Sequence, residues 1–174
     1  MTQNITDSDG NRIVCPIEAG MWRLAAQALF KDRKAVMREA VSNSIDAIER
    51  RLEKEPNAKK WIRIKYTKTG DIVIEDWGTG ITNLNQYVRL SVPSYKHVKR
   101  SKKEIGYFGV GKTSFVLQSS VERVDFDSVN YDNGMTLDLG PNENDELSYS
   151  PPEYRDKAVV LEHQGLRVTI KDVP

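Results

Sequence analysis

The stretch 61-WIRIKYTKTGDIVIED-76 decides the fold class. Apolar and polar residues alternate through 61–66 and again through 71–76, and residues 67–70 between them end in glycine. Two alternating runs around a short turn predict a β-hairpin, and with it antiparallel pairing. Upstream, Met37, Val41, Ile45, Ile48 and Leu52 fall on one stripe at about 100° per residue. They predict a long amphipathic helix over 35–55, ended by Pro56, and the helix formers of 17–30 predict a shorter one before it. Downstream, 82–105 lacks consistent periodicity and carries Lys96, Lys99, Arg100, Lys102 and Lys103, which predicts a mobile loop. Residues 113–120 read as a helix, and 121–126, 135–139, 158–163 and 166–170 as strands, with 141–155 a polar, proline-bearing surface loop. Helices followed by a run of strands imply an α+β, two-layer sandwich rather than a doubly wound parallel sheet. The expected sheet is mostly antiparallel but mixed, with helices on one face.

The 174 residues suit one domain, and 39% hydrophobic with 29% charged residues excludes intrinsic disorder. Lys and Arg total 26 against 25 Asp and Glu, so overall charge gives no reason to expect a nucleic-acid or membrane partner. Cys15 is the only cysteine, which removes an intrachain disulfide or a multi-cysteine zinc site. The start MTQNITDSDGNR lacks the apolar core of a signal peptide, and no run approaches the roughly 18 apolar residues of a membrane span. A soluble, cytoplasmic protein is expected. His97 and His163, the only histidines, have no companions at metal-ligand spacing.

Three clusters could carry chemistry. On the long helix, Glu39, Asn43 and Asp46 project together, away from the apolar stripe. A solvated face accounts for them, yet Asn is a poor mid-helix residue, and a carboxylate one turn from an amide oxygen can hold water beside a hard cation. In DWGTGI, Asp76 ends a strand and is followed by Gly78 and Gly80. The glycines allow a sharp turn or close approach to a ligand, and a plain β-turn explains them about as well. In GYFGVGKTS, Gly106, Gly109 and Gly111 open a helix whose free amides suit phosphate. Gly106, Gly111, Lys112 and Thr113 also satisfy the P-loop pattern GxxxxGK[ST]. A P-loop follows a buried hydrophobic strand, however, and here HVKRSKKEI precedes it, so a P-loop NTPase stays a minor alternative.

In order, REAVSNSIDA, EDWGTGI and IGYFGVGKTSF resemble the three nucleotide-binding boxes of the GHKL ATPase superfamily, over roughly 17 to 169. That superfamily includes the ninety-kilodalton heat-shock chaperones, the DNA gyrase B subunit, MutL, microrchidia ATPases and histidine kinases. Glu39, Asn43, Asp46 and Ala47 fill ExxxNxxDA; Asp76, Gly78 and Gly80 fill DxGxG; Gly106, Gly109 and Gly111 fill GxxGxG. IGYFGVG is most similar to the heat-shock chaperone and microrchidia branches. The resemblance implies a Bergerat-type ATP-binding fold, one domain over 1–174 that forms the N-terminal part of a longer protein. It also implies ATP with Mg2+, Glu39 as general base, Asn43 as magnesium ligand and Asp76 as acceptor from the adenine amino group. The amides of Gly106, Tyr107, Phe108, Gly109, Val110 and Gly111 would hold the phosphates, with Lys112 beside them. Residues 83–103 would be the lid, with Ser94 and Lys96 its Ser/Lys element. The family's last strand commonly begins Gly-Thr; here Gly165 precedes Leu166, and Thr169 stands in as the nearby hydroxyl.

The implied activity is slow, magnesium-dependent ATP hydrolysis that closes the lid and drives conformational change or homodimerisation. Residues 1–20 would form a strap between protomers, and a protein client or DNA would be served through a further domain. Trp77, next to Asp76, would report nucleotide by fluorescence. The alternative is a non-hydrolysing nucleotide- or nucleic-acid-binding interaction module.

Overall fold

The computed structural model describes residues 13–14, 33–88, 123–141 and 147–171. The predicted long helix is α1, Arg33–Lys54. It stops two residues before Pro56, with Arg51 and Lys54 in its last turn, where cations meet the negative end of the helix dipole. The hairpin follows: β2, Ile62–Tyr66, pairs antiparallel with β3, Ile72–Asp76, in the register Ile64 to Ile74.

The remaining elements are β1 (Ile13–Val14), α2 (Leu84–Val88), β4 (Arg123–Val129), β5 (Gly134–Pro141), β6 (Leu147–Tyr149), β7 (Glu153–Arg155), α3 (Lys157–Val160) and β8 (Gly165–Lys171). The strands form one open sheet in the order β1-β6-β5-β4-β8-β3-β2, with β7 beside β6 on β5. Every described pairing is antiparallel. The architecture is α+β, built on an antiparallel open sheet.

Side chains alternate across a strand, so the register assigns each residue to a face. One row runs Ile64, Ile74, Val168, Phe126, Leu137 from β2 to β5, and its neighbour runs Ile72, Ile170, Val124, Leu139, Tyr149. Most of these side chains are buried, and α1 covers the rows through Ala40 and Met37, α2 through Leu84 and Tyr87. The Tyr87 ring stands edge-on to Phe126 at 5.7 Å.

The other face is a charged ladder. Arg63, Glu75, Arg167 and Asp127 lie in one row, with Arg63 to Glu75 at 3.2 Å, Arg167 to Glu75 at 2.7 Å and Arg167 to Asp127 at 3.6 Å. Lys171 and Arg123 both reach Asp125 in the next rows. Alternating signs along the Arg63–Glu75–Arg167–Asp127 row favour this register, while in the neighbouring rows Arg123 faces Lys171 and Asp125 faces Asp138.

Three expectations change. Residues 158–163 are not a strand: Asp156 caps a single turn of helix by accepting from the Ala158 amide, and Val160 and Leu161 pack on Val129. An N-cap aspartate ahead of Lys-Ala outweighs the β-branched pair Val159 and Val160. Residues 141–155 are not simply a loop, because β6 and β7 lie there and Ser148 and Tyr149 are fully buried. Strands of three residues are too short for alternation to show in sequence. The proposed lid begins with structure, since Leu84 and Tyr87 anchor α2 in the core one turn apart. In the expected strap, Ile13 and Val14 pair with Tyr149 and Ser148 of the same chain. The predicted helices over 17–30 and 113–120 lie outside the described residues.

Candidate functional site around Asp76

Asp76 is the last residue of β3 and one of the few buried carboxyls. Its Oδ1 accepts from the Gly78 amide at 2.9 Å and from the Leu166 amide of β8 at 3.3 Å. Burial pushes this carboxyl up to about 6, and the Gly78 amide, the Ser44 hydroxyl of α1, the Leu166 amide and the charge of Arg50 hold it from going higher. It is therefore ionised at neutral pH yet desolvated. Tyr87 lies close enough that the Asp76 charge adds to burial in raising its phenol.

The helix reaches this carboxyl because its packing stripe is made of small residues. Ala40, Ser44, Ala47 and Ile48 are buried, whereas Met37, Val41, Ile45 and Leu52 of the expected stripe are only half-buried. A Cβ on Gly78 would sit 2.6 Å from the Ala47 Cβ. Gly78 is thus where the DWGTGI loop touches α1, and its missing side chain is filled by the protein rather than by a ligand. Gly80, at φ +68°, lies similarly against the Val129 carbonyl at the end of β4.

The loop from Trp77 to Ile81 is clamped from several directions. Arg51 donates to the carbonyls of Trp77 and Gln164 at 3.2 and 3.1 Å. Ser128 Oγ accepts from the Ile81 amide at 2.8 Å, and Asn130 Nδ2 donates to the Ile81 carbonyl at 2.7 Å. Side chains of β4 and the residue after it thereby take the place of a strand partner. Ser128→Ala leaves the buried Ile81 amide without its acceptor, and a loss of about 1–3 kcal/mol in denaturant unfolding is expected.

From the other side, Gly165 is pressed onto Asp76. Its φ is +154°, and a Cβ there would lie 1.8 Å from the Asp76 carbonyl oxygen. His163 Nε2 lies 3.2 Å from the same oxygen, and its ring stacks on Trp77 at 3.8 Å. Desolvation lowers the His163 pKa, against the Asp76 carbonyl and the Glu75 charge, which raise it.

Of the sequence candidates, Asp76, Gly78 and Ala47 come together, with Gly80 in the same loop. Glu39, Asn43 and Asp46 lie together on the flank of α1: Glu39 is half-buried, Asn43 exposed and Asp46 buried, so they are not a uniformly solvated face. Thr169 is not part of the group. Asp76 pairs with Leu166, so Thr169, three residues on, points to the charged face between Val73 and Asp125. Trp77 is adjacent to Asp76 in sequence only, because Arg63 of the charged face covers its ring at 5.1 Å. An open cleft of about 540 Å³ beyond it touches Arg51, Lys59, Trp77, His163 and Gln164 but none of the candidate carboxylates.

Ser94, Lys96 and residues 106–112 lie outside the described residues. Sequence reasoning missed Ser44, Arg51, Tyr87 and His163. The small-residue spacing of Ala40, Ser44 and Ala47 was the available signal for the first. No group of three or more His, Cys, Asp or Glu suited to a metal occurs among the described residues, and none of their helices is long and apolar enough to cross a membrane. No family model matches the chain, and no curated protein matches it.

Proposed function

We propose that the chain is a magnesium-dependent ATP-binding and ATP-hydrolysing domain of the GHKL type, with a Bergerat-type fold. One observation carries the reading. Two sequence boxes about thirty residues apart meet through Ala47 and Gly78, and Ser44 and Gly78 both hydrogen-bond the same buried carboxylate.

The donor set fits the nucleotide and its ion. Asp76 offers a desolvated, ionised acceptor of fixed direction, suited to an exocyclic amino group and unsuited to a ring carbonyl. Asn43 offers an exposed amide oxygen that would hold magnesium together with phosphate oxygens. When bound, that ion neutralises charge developing on the transferring phosphoryl. Glu39, one helical turn before Asn43, would take the proton from the attacking water. Lid closure by residues 83–103, phosphate contacts by residues 106–112, dimerisation, and a client or DNA partner belong to the same proposal.

Single-turnover hydrolysis with enzyme in excess tests the assignment. Glu39→Ala is expected to keep Mg·ATP affinity within a few-fold while slowing hydrolysis by about 100-fold. Asn43→Ala is expected to weaken magnesium-dependent binding itself. Hydrolysis in Glu39→Ala equal to wild type removes Glu39 as the base, and binding without hydrolysis in any form of the protein leaves a nucleotide-binding module.

A further inference from the structure

Three of the five large apolar side chains exposed among the described residues share one edge; the other two, Tyr154 and Val159, stand apart on β7 and α3. Trp61, Ile64 and Tyr66 are 55%, 42% and 70% exposed, and all lie on or beside β2, the terminal strand of the sheet. Among the described residues nothing pairs with its outer side.

The hydrogen-bond phase of this edge can be read directly. The Trp61 carbonyl accepts from Trp77, and the Thr67 amide donates to Asp71, so the odd-numbered residues turn their backbone groups inward to β3. In an antiparallel ladder both groups of one residue point the same way. Ile62, Ile64 and Tyr66 therefore present N–H and C=O outward, and their side chains lie on the α1 face of the sheet. Arg63 and Lys65, between them, project to the opposite face.

The same edge is basic. Lys59, Lys60, Arg63, Lys65 and Lys68 are all exposed, and no acid occurs between Lys59 and Gly70. Arg63 is engaged with Glu75 and Lys59 lies over the Trp61 ring, while Lys60, Lys65 and Lys68 have no ion-pair partner among the described residues. Lysines on an edge commonly serve to repel other strands. Here they stand beside exposed Ile and Tyr, so they repel selectively.

We propose that the outer edge of β2 receives an extended acidic peptide segment of a partner protein, which adds to the sheet as a further strand. Its apolar side chains lie beside Ile64 and Tyr66 on one face, and its alternate carboxylates meet Arg63 and Lys65 on the other. The occupant is not a second copy of the same edge. Two-fold pairing of β2 with itself brings the basic side chains of two copies together with no acid in the segment to offset them. Backbone pairing also separates this occupant from a nucleic acid, which has no use for free N–H and C=O groups in strand geometry.

The test uses the whole chain and a labelled peptide of about seven residues alternating Glu and Val, followed by anisotropy. Two control peptides carry the same residues in blocks, or alternating with N-methylated backbone amides. The alternating peptide is expected to bind at least about tenfold more tightly than either control. Lys65→Glu is expected to weaken it by about tenfold or more, with unchanged thermal unfolding, and amide exchange at Ile62, Ile64 and Tyr66 is expected to slow on binding. Equal binding of the three peptides reduces the edge to a charged patch and overturns the proposal. So does tighter binding of a single-stranded oligonucleotide of equal charge lost through Lys65→Glu, or a dimer in sedimentation that the same substitution dissociates.

Discussion

Asp76→Asn is expected to make the empty protein more stable at neutral pH while removing nucleotide binding. Folding raises this carboxyl from 3.8 to about 6, so the folded state holds its proton more tightly than the unfolded chain. The stability it contributes is complete below pH about 4 and is lost as the pH rises through about 6, a cost of about 3 kcal/mol above that range. Asparagine keeps an oxygen for the Gly78 and Leu166 amides and carries no charge to desolvate. The variant should therefore melt about 5–10 °C above wild type at neutral pH. The gap should shrink toward zero at pH about 4. His163 titrates in both proteins, so the difference between them isolates Asp76.

The cost appears in the ligand. The two backbone amides keep Oδ1 as the acceptor, so the Asn nitrogen occupies the other position and would meet the amino group of the adenine proposed to bind there donor to donor. Mg·ATP affinity should fall by about 100-fold or more. A residue that destabilises its own fold, and whose neutral isostere folds better and binds worse, marks a site kept for function. A variant less stable than wild type at neutral pH would contradict this account of Asp76.

Gly165→Ala is expected to be the most damaging small substitution. The added carbon would lie 1.8 Å from the Asp76 carbonyl oxygen, at a φ that alanine avoids. Relief requires β8 to leave β3 at the point where Leu166 donates to Asp76 and His163 approaches its carbonyl. A loss of at least about 3 kcal/mol is expected, which lowers the melting temperature by roughly 10 °C or prevents folding altogether. A variant that melts within about 2 °C of wild type would show that the two strands separate here at little cost.

The hairpin was legible because β2 alternates over Ile62–Tyr66 and a short turn ending in glycine leads straight into the apolar run Ile72–Ile74, and α1 because its apolar repeat, from Met37 to Leu52, runs for more than four turns. The face that α1 turns inward was less so. Amphipathicity pointed to Met37, Val41 and Ile45, but the approach to Gly78 demands small side chains, and hydrophobic patterning does not rank Ala47 or Ser44 above isoleucine. Asp76 and its glycines were visible as a motif, while the reason for Gly78 was not, since only the fold brings Ala47 against it. Thr169 was misplaced by parity: a hydroxyl three residues beyond Leu166 lies on the wrong face, and the register is needed to see it. His163 was read within a strand, because Asp156, whose cap creates the turn of α3, lies just ahead of the segment that carried the β pattern.

Calorimetric titration of the wild-type chain with Mg·ATP at pH about 7.5, above the Asp76 pKa, tests the central claim most directly. The account predicts one saturable site, lost or weakened by about 100-fold in an Asp76→Asn protein that is folded and more thermostable than its parent. No saturable binding to wild type, or equal affinity in both proteins, would contradict it.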